Sequence, residues 1–114
     1  MNIYLPDIPV CFVGLREHTD RWSRIDEWTA THGYKNVTKF ENEKDASLPK
    51  YGDVRLKFME ALKSLSSFPS IIFEDDAVPT EWYANEIEVP NESGIVYLGG
   101  SQYGTGANPL GMKE

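Results

Sequence analysis

Three consecutive carboxylates, Glu74-Asp75-Asp76, follow directly on the apolar run Ile71-Ile72-Phe73, and Pro79 closes the stretch. Adjacent acidic groups repel one another and are costly to bury unpaired, so such a set calls for a cation or for solvent. A hard divalent metal with oxygen ligands, shared with a substrate phosphate, is the sharpest chemistry for it. Side chains alternate along a strand. If the strand persists, Glu74 and Asp76 share a face, while Asp75 points the other way and can hold a loop. The plainer alternative is an acidic turn in which Asp76 or Thr80 caps the next helix.

The basic residues that could answer this charge are early in the chain. Arg16, Arg21 and Arg24 crowd a turn and a helix start, where cationic groups and free backbone N–H groups together suit an anionic ligand. Paired with Glu17, Asp20 and Asp26 they make only a solvated helix face. Arg55 and Lys57, near the start of a second helix, can reach the same region or stay at the surface. His18 and His32 have no histidine or cysteine partner at ligand spacing, so they make no metal site, and His32 beside Gly33 suits a helix C-terminus. Trp82 and Tyr83 can stack on a sugar or base, or close the core. No P-loop, dinucleotide fingerprint or nucleophile elbow is present.

The elements that must position these residues alternate in type. Val10-Cys11-Phe12-Val13 reads as a strand ended by Gly14. Trp22, Ile25 and Trp28 recur at helical spacing through about Thr31, with Thr19 or Asp20 as cap and Gly33 as stop. Asn36 to Phe40 is a weaker strand, with Val37 and Lys39 on one face and Thr38 and Phe40 on the other. A second helix opens at Gly52-Asp53, with Asp53 as cap, and carries the stripe Val54, Phe58, Leu62 and Leu65. The acidic strand follows. A short helix from Thr80 to Glu86 and a fourth strand, Gly94 to Leu98, complete the expected order. Met1 to Asp7 is an arm without assigned structure, and Ser101 to Glu114 is loop or tail. Strand–helix alternation predicts an α/β fold: a mostly parallel, Rossmann-like sheet with helices on both faces. The turn after Val13, the acidic triplet and the glycine-rich segment after Leu98 then open on one edge, the carboxyl edge where such sheets bind ligands.

Composition narrows the partners. The 114 residues suit a single domain, and an apolar content of 40% is enough for a core. A net charge of −7 argues against nucleic acid as a general partner. The single cysteine, Cys11, lies in an apolar run and reads as a buried hydrophobe, which suits a reducing compartment. No signal-peptide pattern and no membrane-length apolar run is seen, so a cytoplasmic protein is expected.

In order, these residues resemble the glycosyltransferase family 25 group, the lipopolysaccharide-biosynthesis type of galactosyl and glucosyl transferases. The resemblance rests on Val13-Gly14-Leu15-Arg16, Asp20-Arg21-Trp22-Ser23-Arg24-Ile25, the helix Val54 to Leu65, the run Ile71 to Ala77 with its E-D-D, and Ile95-Val96-Tyr97-Leu98-Gly99. It covers about residues 9 to 100. It implies a minimal GT-A fold that binds a nucleotide-sugar donor, with Mn²⁺ or Mg²⁺ held on the diphosphate by the acidic motif. Carried over by position, Glu74 and Asp76 are expected at the metal. Gly14, Leu15, Arg16, Arg21, Arg55 and Asp75 are expected at the nucleotide sugar. Such enzymes continue into an acceptor-binding half, for which little sequence follows Gly99. The alternative expectation is therefore a non-catalytic binding or assembly module, whose open sheet edge favours self-association. A receiver-like phosphoryl pocket fits less well, because no lysine follows Leu98 until Lys113.

Overall fold

The computed structural model describes residues 1–91, 94–96, 98 and 112–113. At its centre is a three-stranded parallel sheet of β2 (Val10–Leu15), β3 (Val37–Asn42) and β4 (Ile71–Glu74), in the order β3-β2-β4. Val10 pairs with Val37 on one side and Ile71 on the other, and Val13 pairs with Phe40 and Glu74. The connections are α1 (Thr19–Thr31) and α2 (Lys50–Ser64).

Because β2 is central, both of its faces are covered, and its residues divide by parity. Val10 and Phe12 join Ile71 and the α1 residues Trp22, Ile25 and Trp28 in one cluster. Cys11 and Val13 join Ala61 of α2 in the other, with Phe40, Phe58, Leu65 and Ile72 against them. One helix therefore lies on each face, as the alternation predicts. Phe12 is fully buried and meets Trp28 edge-on, with ring centroids 5.6 Å apart. Lys39, on the α1 face of β3, pairs with Asp26 of α1.

Several local expectations change. No Thr19 or Asp20 side chain caps α1; the N-cap is His18, without a side-chain cap bond. Gly33 does end α1, at φ +78°. The second helix opens two residues before Gly52, behind Pro49, and Asp53 lies inside its first turn. Its apolar stripe is only partly covered. Val54 and Leu62 stay about half exposed, while Phe58, Ala61 and Leu65 face the sheet, which is what covers the helix among the described residues.

The N-terminal arm, to which the sequence assigns no structure, forms a paired strand and a turn. β1 (Asn2–Tyr4) pairs antiparallel with β6 (Glu86–Glu88), and a 3-10 turn, Leu5–Asp7, follows it. Pro6 sits in that turn, where its missing N–H costs little. Glu86 to Glu88 thus forms a strand, and residues 80–85 form turns rather than the expected helix. Gly94, Ile95, Val96 and Leu98 belong to no strand, so the expected fourth parallel strand is absent among the described residues. The expected tail at 101–114 lies outside the described residues except for Met112–Lys113. These form β7 and pair antiparallel with β5 (Val78–Pro79). No helix among the described residues is long and apolar enough to cross a membrane.

Candidate functional site

The carboxyl ends of β2 and β4 meet at Gly14 and Asp75. The Asp75 N–H donates to Val13 O at 2.9 Å, extending the parallel ladder one residue past β4. This bond tucks the Asp75 side chain against Gly14. A Cβ at residue 14 would stand 2.6 Å from the Asp75 Cβ and closer still to its carboxylate. Gly14 is therefore required by close approach, not by an unusual φ.

Asp75 is 5% exposed, and both of its oxygens are used. Arg21 Nη1 donates to Oδ1 at 2.9 Å, and His18 Nδ1 lies 2.8 Å from Oδ2. A buried carboxylate needs such partners, since an unpaired one is among the costliest groups to bury. The two partners lie three residues apart at the start of α1, so one carboxylate fixes both the turn and the helix entry. Trp22 Nε1 donates to Leu15 O at 2.9 Å and ties the same turn from inside. Leu15 N-terminal to this turn is half-buried.

The other expected site residues are placed less tightly. Arg16 lies beyond β2, exposed, and pairs with Glu43, which follows β3. Arg55 is exposed on α2. Glu74 is half-buried at the last position of β4 and borders an apolar cavity along that strand. The ladder goes no further than the Asp75 N–H and the chain then turns, so the alternation that would set Glu74 and Asp76 side by side does not continue. Asp76 lies in the turn, and its buried Oδ1 has no hydrogen-bond partner among the described residues. Among the described residues, no group of three or more histidine, cysteine or acidic side chains is placed to hold a metal. The glycine-rich segment expected on the same edge lies outside the described residues.

Sequence reasoning missed two features. The first is His18, set aside for want of a metal-ligand partner; its real partner is 57 residues away. The second is Asp53 with Lys57, 2.9 Å apart, in which Lys57 also donates to Glu43 O and Asp53 accepts from the Asp45 N–H at 3.2 Å. Their i,i+4 spacing was a readable signal. The bond to Lys57 holds the Asp53 carboxyl below its ordinary value, against the opposing effect of burial.

The aromatics after the acidic turn diverge. Tyr83 packs on the core, its hydroxyl 2.5 Å from that of Tyr34, and its ring lies over His32 with centroids 4.4 Å apart. Burial raises both phenol pKa values. Trp82 is 74% exposed.

The cavity beside β4 has a volume of about 840 Å³ and is lined mostly by apolar side chains, among them Ile3, Leu62, Phe68, Ile71, Phe73 and Ile95. It runs along the outer edge of β4, which pairs with no strand among the described residues.

No protein-family model, curated protein or solved structure matches this chain.

Proposed function

We propose that this protein binds a nucleoside-diphosphate sugar at the carboxyl ends of β2 and β4, as a small metal-dependent glycosyltransferase of GT-A-like build. The observation that carries this reading is the buried Asp75, which holds Arg21 and His18 in fixed positions at that edge. A cation preset at a helix start suits a diphosphate. A central strand flanked by one parallel neighbour on each side, with a helix on each face, is compatible with a nucleotide-binding half.

The acidic turn also fits a metal. The buried Asp76 Oδ1, without a partner among the described residues, is an acceptor suited to a cation or donor. Mg²⁺ and its like are commonly held by one or two carboxylates plus substrate phosphates, so a protein cluster of three ligands is not required. Asp76 would hold Mn²⁺ or Mg²⁺, with Glu74, two residues earlier at the end of β4, as the second candidate ligand. A bound ion there would neutralise charge on the departing diphosphate. Arg21 and Arg16 bind and orient the phosphates, and Asp75 keeps Arg21 in place.

Calorimetry with UDP- and GDP-sugars tests the reading. Binding that requires Mn²⁺ or Mg²⁺ and disappears in Asp76→Ala is the expected result. No binding of any common donor in the presence of Mn²⁺ overturns it.

The apolar cavity along the open β4 edge favours a second reading, a non-catalytic binding or assembly module that pairs with a copy of itself. A chain that stays monomeric by light scattering at high concentration counts against that alternative.

A further inference from the structure

His18 at this edge is held by a buried carboxylate and keeps part of its ring exposed. Its Nδ1 contacts Asp75 Oδ2, and the other Asp75 oxygen already accepts from Arg21. A carboxylate engaged by a guanidinium acts as an acceptor, so the hydrogen of the His18 contact belongs to Nδ1. The neutral ring then carries its lone pair on Nε2. Nε2 has no hydrogen-bond partner among the described residues, and the side chain keeps 32% of its surface exposed. The ring cannot turn over without giving up Asp75, and Asp75 is itself fixed by Arg21 and by its backbone bond to Val13. A fixed tautomer with a buried carboxylate behind it, and a second ring nitrogen without a partner among the described residues, is the arrangement of a general base.

We infer that His18 is the proton acceptor of this site. The inference rests on the nucleoside-diphosphate-sugar reading and adds to it the group that activates the incoming hydroxyl. As the hydroxyl oxygen bonds to the anomeric carbon of the donor, its proton passes to Nε2. The bond from that carbon to the diphosphate breaks, and its electron pair leaves on the phosphate oxygen. The Asp75 carboxylate at Nδ1 stabilises the imidazolium that forms. With water as the hydroxyl, the same step is donor hydrolysis. Asp75 is then a positioning residue.

His18→Asn tests this. The Asn side chain can still donate to Asp75 and hold the turn, but it offers no base. The assay is hydrolysis of UDP- and GDP-sugars with Mn²⁺, with donor affinity measured by calorimetry on the same samples and the fold checked by thermal unfolding. The expected result is donor affinity within about threefold of the parent and hydrolysis reduced about 100-fold or more. Hydrolysis unchanged in a folded, donor-bound variant overturns the inference and leaves donor binding standing. Binding without hydrolysis in the parent also overturns it. Absence of donor binding to the parent overturns the proposed function, and the inference falls with it. If His18→Asn does not fold, nitrogen-15 NMR of the parent decides. A neutral His18 protonated on Nδ1 supports the inference, and one protonated on Nε2 overturns it.

Discussion

Gly14 and Asp75 occupy one another's space: the Asp75 carboxylate fills the volume that a side chain at residue 14 would take. The Asp75 Cβ is part of the clash, so rotating the carboxylate away does not relieve it. Gly14→Ala is expected to destabilise the protein by about 1–3 kcal/mol, the usual range for overpacking. Asp75→Gly removes the opposing atoms, so Gly14→Ala should cost clearly less in that background. Urea unfolding of the four chains measures the coupling.

The Asp75–Arg21 pair should contribute more than a surface ion pair. Removing one partner of a fully buried pair costs about 3–5 kcal/mol. Arg21 is 40% exposed and can rehydrate, which lowers the expected coupling to about 1–2 kcal/mol. Added salt should weaken it only modestly, because the carboxylate is buried. A double-mutant cycle with Asp75→Ala and Arg21→Ala, run at low and high salt, checks both points. A coupling near zero would reduce the pair to an ordinary surface contact.

Asp53 links acid stability to the loop before α2. Its carboxyl titrates below its ordinary value, chiefly through the bond to Lys57. A depressed carboxyl contributes stability that is complete above the unfolded value, about 3.9, and is lost as pH falls through the lower folded value. Asp53→Asn should therefore be less stable than the parent at neutral pH, and the gap should close as pH drops below about 4. Parallel thermal unfolding from pH 7 to pH 3 tests this. A gap independent of pH would show that the titration is not involved.

Cys11 should be inert in the folded protein. It is 3% exposed on the α2 face of β2, and burial raises its thiol pKa, so little thiolate forms at neutral pH. A thiol reagent should label almost nothing under native conditions and the single cysteine completely in denaturant. Rapid native labelling would mean that the α2 face opens readily.

Asp76→Ala should separate ligand binding from folding. Its buried Oδ1 has no partner to lose among the described residues, so the change should not lower the unfolding temperature. Donor binding in Mn²⁺ should nevertheless vanish, as should binding by the parent chain in a chelator. A stability loss like that of Asp75→Ala would instead give Asp76 a structural role.

The sequence by itself determined the strand–helix–strand–helix–strand order and the burial of β2 on both faces. Those features are local. Val10-Cys11-Phe12-Val13 is apolar at every position, as a central parallel strand must be, and the α1 stripe repeats at helical spacing. It also determined that the charge at Glu74-Asp75-Asp76 begins where an apolar strand runs out. The tertiary structure decided what each of those charges meets. His18 and Asp75 lie 57 residues apart, and only the parallel register of β2 with β4 carries them to hydrogen-bond distance. The same holds for β1 and β6: the Glu86-Ile87-Glu88 alternation is too short to read alone and becomes a strand through its pairing with residues 2–4. How much of the α2 stripe is covered also depends on the sheet against it, which is why Leu62 stays open while Ala61 is buried. Periodicity is written in neighbouring residues, whereas a site assembled from the ends of separate strands depends on register.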